Sequence, residues 1–162
     1  MQHRSLAFAL AASFFVMGAS ANAKPNVILK LDAELVQKDA KGVEKLTPVS
    51  GNELKPGETV RYDIVATNTG TDPAAKLMPV GKVPTGTTYE PGSATASNAL
   101  RVEFSIDGGK TWSKSPVVKV ITQSGTAEKK ADPATYTSVR WIAEKPLAPK
   151  TSVSYHYEVR VK

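Results

Sequence analysis

Along this chain apolar side chains recur at every second position in several separate runs, and no run keeps a helical spacing. The plainest organising stretch covers residues 54–77. Pro56 and Gly57 supply a turn, and Val60, Tyr62, Ile64 and Ala66 then alternate with Arg61, Asp63 and Thr67. Only a strand uses a period of two, because its successive side chains leave on opposite faces. Val65 interrupts the polar side once, which points to partial cover there. Asn68-Thr69-Gly70 and Thr71-Asp72-Pro73 close the run with residues that turns demand. The stretch predicts a central, half-buried strand of an antiparallel sheet.

The same rhythm appears on both sides of it. Val27, Leu29, Leu31, Ala33 and Leu35 share one face of a first strand, with Lys30, Asp32 and Glu34 on the other and Ile28 as the exception. A turn at residues 39–42 leads to a short edge piece at 44–49. Pro79, Pro84 and Pro91 restrict the segment after the central strand to an edge or an extended crossover, since proline cannot donate to a ladder. Residues 93–98 read as a loop. Val102, Phe104 and Ile106 then face one way and Arg101, Glu103 and Ser105 the other, before a tight hairpin at Asp107-Gly108-Gly109. Residues 117–121 predict another strand, 125–133 a polar loop, and Val139 with Trp141 the inward face of a further strand. Val153, Tyr155, Tyr157, Val159 and Val161 alternate without a break against Ser154, His156, Glu158, Arg160 and Lys162. This last strand is where pairing is expected to matter, inside the sheet or with a partner. The whole predicts an all-β, immunoglobulin-like antiparallel β-sandwich of about seven to nine strands.

The order Pro-Gly-Glu, V-R-Y-D-I-V-A-T-N-T-G, then Val83-Pro84-Thr85-Gly86-Thr87-Thr88-Tyr89, resembles the conserved repeat domain of bacterial and archaeal surface proteins, the eleventh of the catalogued domains of unknown function. The later V-R-W and the closing Y-E-V-R-V are similar to that family's last strands. The resemblance covers most of the chain from about residue 54 onward. It implies an immunoglobulin-like sandwich and no particular chemistry. Family domains often occur in tandem, whereas a single copy is present here.

The first residues read as an address. His3 and Arg4 precede an apolar run at 6–17, and small residues lead to Ala21-Asn22-Ala23. These are the three regions of a cleavable signal peptide covering residues 1–23, with Ala21 and Ala23 at the cleavage site and Lys24 opening the mature chain. The run is too short for a comfortable bilayer span, so an exported protein that is not an integral membrane protein is expected, periplasmic or at the cell surface. The remaining 139 residues suit one domain, 24–162, and can bury a core without disulfides, of which a chain lacking cysteine has none. Removing Arg4 takes the net charge from +6 to +5. The lysines are scattered, which gives a diffuse bias toward anionic glycan and not the clustered footprint of nucleic-acid binding.

Candidate chemistry is sparse. Ser105, Asp107, Gly109 and Trp112 match S-x-D-x-G-x-T-W, which resembles the Asp-box of sialidases and other secreted β proteins, where the box is a hairpin and not the catalytic site. A short carboxylate suits that role because it accepts from nearby backbone amides. His156 is the single histidine of the mature portion and falls on an outward position, so a solvated or cross-strand role is expected. Asp32 and Glu34 share a strand face without a pocket to raise a pKa. A Lys–Asn cross-link would need inward-pointing partners, and Lys30 points outward. Trp112, Trp141, Tyr155 and Tyr157 could stack on sugars, but three of the four take inward positions. No enzyme activity, cofactor or metal is expected. The partner expected is another exported protein or a second copy, through edge-strand pairing; a carbohydrate-binding module is the alternative.

Overall fold

The computed structural model describes residues 24–49, 54–96 and 100–162. The expected signal peptide, with Ala21 and Ala23, lies outside the described residues; Lys24 is exposed. Eleven strands are present among the described residues, more than the seven to nine expected: β1 (Val27–Lys38), β2 (Glu44–Pro48), β3 (Thr59–Asn68), β4 (Val80–Lys82), β5 (Thr87–Tyr89), β6 (Thr95–Ala96), β7 (Leu100–Ser105), β8 (Val117–Thr122), β9 (Gly125–Lys130), β10 (Ser138–Ala143) and β11 (Ser152–Val161). A single 3-10 turn, Pro133–Thr135, is the one helical element among them. No helix among the described residues is long and apolar enough to cross a membrane.

The fold is an antiparallel β-sandwich of unequal layers. The large sheet runs β2-β1-β3-β11-β5, with β6 also paired to β11; the small sheet runs β4-β10-β7. β3 is central as its alternation predicts, and β11 lies beside it with Tyr157 opposite Tyr62 and Val159 opposite Val60. Their inward side chains meet those of β10. Trp141, Val139, Tyr155, Tyr157 and Val159 are almost wholly excluded from solvent. Trp141 packs with a tilted ring against Tyr155 and Tyr157, while Phe104, Tyr136 and Tyr89 form a second aromatic cluster under β5. Truncating a buried aromatic of this kind to alanine costs about 3–5 kcal/mol, so these rings set the register of one layer on the other.

Two segments read as loops are paired strands. Residues 125–130 form β9, which zips onto β8 from Val117 opposite Lys130 to Thr122 opposite Gly125. Every residue of β9 is exposed, so no inward face exists to leave an alternating signature in the sequence. Thr95 and Ala96 likewise pair with His156 and Tyr155. The outer faces are tied by ion pairs across strands, Arg61 to Glu158 and Arg140 to Glu103 at 2.6 Å each, and Arg160 to Glu90 at 2.6 Å. The first two, partly buried, each contribute about 1 kcal/mol or less.

Candidate functional site

Because the large sheet has five strands in its path and the small one three, the small sheet stops short on one side. β7 lies over β5, where Phe104 meets Tyr89, and β10 over β11. β4 then lies against Tyr157, leaving β1 uncovered beyond it. Leu29 and Leu31 belong to the inner face of β1 by alternation, next to Ala66 and Ile64 of β3. They are nevertheless 55% and 61% exposed. The sequence pattern correctly assigns their face but does not show that nothing covers it. An open trough of about 380 Å³ results, lined chiefly by Leu29, Leu31, Tyr62, Ile64, Val80 and Tyr157.

Backbone without a strand partner among the described residues borders this trough on both rims. Val83 donates its amide to Thr137, and the carbonyls of Pro79 and Leu77 accept from Trp141 and Ala143. Odd positions here therefore bond to β10. Alternation in an antiparallel pair leaves the N–H and C=O of Val80, and the N–H of Lys82, aimed at the open side. The Lys82 carbonyl is capped by the Tyr157 hydroxyl at 2.6 Å. On the other rim, Asn26 accepts from Thr69 and Ala33 from Val49. The same parity argument turns the backbone groups of Val27, Leu29 and Leu31 away from β3, and β2 pairs with β1 only from Glu34 onward. Burial pushes the Tyr157 phenol well above its ordinary pKa, so it remains a neutral donor at any physiological pH.

The residues singled out from sequence are distributed elsewhere. Ser105, Asp107, Gly109 and Trp112 come together in the turn after β7. Ser105 Oγ donates to Asp107 Oδ1 at 2.7 Å and accepts from the Gly109 amide at 2.8 Å. Asp107 Oδ1 also accepts from the amides of Lys110 and Thr111, and Oδ2 from the Thr111 hydroxyl at 2.6 Å. Those donors, the Thr111 hydroxyl first among them, hold the Asp107 carboxyl far below the usual carboxylate range. Gly108 and Gly109 adopt φ of 76° and 93°, which glycine tolerates without strain. Trp112 donates its Nε1–H to the Gly109 carbonyl, and the Arg140 guanidinium lies 4.6 Å from its ring centroid. Arg140 thus occupies a face that a sugar would need.

β11, with Val153, Tyr155, Tyr157, Val159 and Val161, has β3 along one edge and β5 and β6 along the other. Its pairing is spent inside the sheet. His156 sits opposite Asp63 in register, and its Nε2 lies 2.8 Å from the Thr95 hydroxyl. Lys30 reaches Asp32 on the same face at 2.8 Å. No group of three or more metal-ligating side chains occurs among the described residues.

Sequence reasoning missed the trough. It also missed Asn68, which is fully buried at the end of β3. Its Oδ1 accepts from the amides of Asn26 and Gly70, and its Nδ2 donates to the carbonyls of Asp72 and Leu147. The Asn-Thr-Gly triplet carried the signal as a turn; the tertiary bonds to Asn26 and Leu147 were not in it. No family model, curated protein or solved structure matches this chain.

Proposed function

We propose that this chain is an exported, non-catalytic immunoglobulin-like domain with a structural or protein-binding role at the periplasm or cell surface. The observation that carries the reading is the inner face left open at Leu29 and Leu31 between two unpaired strand edges. Apolar inner-face surface beside unsatisfied backbone is what another polypeptide can cover, and strand addition is the usual way. The leader-like residues 1–23 and the resemblance of residues 54 onward to a surface-protein repeat support the same reading. So does the setting of His156, whose ring meets the Thr95 hydroxyl of a neighbouring strand and which faces Asp63 across the ladder, a cross-strand placement. Site-specific photo-crosslinking in the native cell envelope tests the proposal. Adducts to another exported protein or to a second copy are expected. A protein that yields none from any exposed position would refute it.

The glycan-binding alternative draws on the aromatic hairpin and the basic surface. Trp112, its best platform, stacks with Arg140 and is anchored through Nε1, which weakens that reading. Binding on a glycan array that disappears with Trp112→Ala would restore it.

A further inference from the structure

We infer that the trough is the place of a missing fourth strand of the small sheet, and that it takes a lone extended segment of a partner polypeptide, laid along β4. The inference rests on the protein-binding reading above and names its site and ligand chemistry. Three observations converge on it.

First, the pairing edge is real and local. Val80 offers both its N–H and its C=O, and Lys82 its N–H, while the Lys82 carbonyl is already bound by Tyr157. A segment exchanging both bonds with Val80 would sit one strand spacing, about 4.8 Å, beyond β4. That position lies over the uncovered inner face of β1. Side chains at alternate positions of the segment would then rest on Leu29, Leu31 and Ile64, and those between them would face solvent.

Second, the shape selects a single strand and not the edge of another folded sheet. β1 and β2 project past β4 as a ledge, because the large sheet continues where the small one ends. Antiparallel pairing of β4 with β4 of a second copy would drive the two ledges into each other. A separate segment has no such ledge and fits between the rims.

Third, the charge is one-sided. Lys30 and Lys82 are among the residues that border the trough and no carboxylate is, although alternation turns the Lys30 side chain to the outer face of β1. Lys30 is paired with Asp32, whereas Lys82 makes no ion pair among the described residues. The segment that fits best alternates branched apolar residues with polar ones and carries a carboxylate where it passes Lys82.

The test uses the chain from Lys24 to its end and a synthetic nine-residue peptide alternating valine or leucine with threonine, with one aspartate. Controls are a peptide of the same composition with its alternation scrambled, and one with lysine replacing the aspartate. The expected result is binding by the first peptide, with the Val80 and Lys82 amides protected from exchange and the Leu29 and Leu31 methyl resonances shifted. Val80→Pro removes one donor that has no partner among the described residues, and it should weaken binding about tenfold while sparing the fold. Lys82→Glu, an exposed change, should reverse the preference between the aspartate and lysine peptides. Equal binding of the scrambled peptide, shifts confined to other residues, or no binding at millimolar peptide would overturn the inference. Photo-crosslinkers at Leu31 and at Ile121 separate this failure from that of the broader reading. Adducts from Ile121 alone would sink the trough while leaving a binding role intact, and silence from every position would sink both.

Discussion

Gly81 of β4 lies directly against the ring of Tyr157 in β11: a Cβ at Gly81 would fall 2.4 Å from Tyr157 Cε1. The same phenol donates to the carbonyl of the next residue, Lys82, at 2.6 Å. One side chain of the large sheet therefore both requires the missing Cβ and captures the strand that leaves it out. Gly81 has no positive φ, so space and not backbone freedom explains the glycine. Gly81→Ala should cost about 1–3 kcal/mol, as overpacking does, and raise the exchange rate of the Val83 amide that joins β4 to β10. Denaturant unfolding together with amide exchange measures both. A loss below about 0.5 kcal/mol would mean that the ring turns aside freely.

Two buried tyrosines of β11 should respond in opposite ways to loss of their hydroxyls. Tyr155 is fully buried and its hydroxyl has no hydrogen-bond partner among the described residues, whereas Tyr157 binds Lys82. Tyr155→Phe should leave stability unchanged or increase it, because an unsatisfied buried donor is removed. Tyr157→Phe should cost about 1 kcal/mol and free the β4 edge. Comparing the two in denaturant is sufficient; equal destabilisation would contradict the assignment.

The hairpin after β7 should carry an acid-sensitive share of stability. Hydrogen bonds from Thr111, Ser105 and Lys110 depress the folded-state pKa of Asp107. Its contribution is therefore complete above the unfolded-state value of about 3.9, and is lost as pH falls toward the much lower folded value. Asp107→Asn should destabilise at neutral pH and flatten the acid limb of the stability curve. Thermal unfolding from pH 7 down to pH 2 checks this, and an unchanged acid limb in the variant would count against it.

Much of the architecture was legible because one face of β3 and of β11 is largely buried. Val60, Ile64 and Ala66, with Val153, Tyr155, Tyr157 and Val159, are core positions, Tyr62 and Val161 being half-buried in line with them, and a period of two records that directly. β9 was illegible for the converse reason. A ribbon exposed on both faces is held by backbone bonds, which any sequence can make, so Gly125–Lys130 resembles a loop. The trough was hidden for a third reason. Leu29 and Leu31 carry the same alternation as a buried strand, yet what lies above them depends on how many strands the opposite sheet has. Local pattern reports which way a side chain faces and is silent on whether a neighbour arrives. The hairpin residues Ser105 and Asp107 were visible because their bonds are local, within a few residues of the turn.

Asn68 makes four hydrogen bonds that join the end of β3 to Asn26, Gly70, Asp72 and Leu147. Asn68→Ala should cost about 2 kcal/mol or more, since buried amides and carbonyls lose their partners together. Asn26 amide exchange should rise in step. A stability change within about 0.5 kcal/mol would show that water replaces the side chain without cost.

The account depends on Leu29 and Leu31 being inner-face residues that the domain itself does not cover. The double variant Leu29→Lys, Leu31→Lys measures this most directly, with Ile64→Ala as the buried comparison. Equilibrium unfolding should place each lysine substitution within about 0.5 kcal/mol of the parent, and Ile64→Ala about 2–5 kcal/mol below it. Destabilisation of the lysine pair as large as that of Ile64→Ala would show that the domain fills the trough itself, and would contradict the proposed binding face.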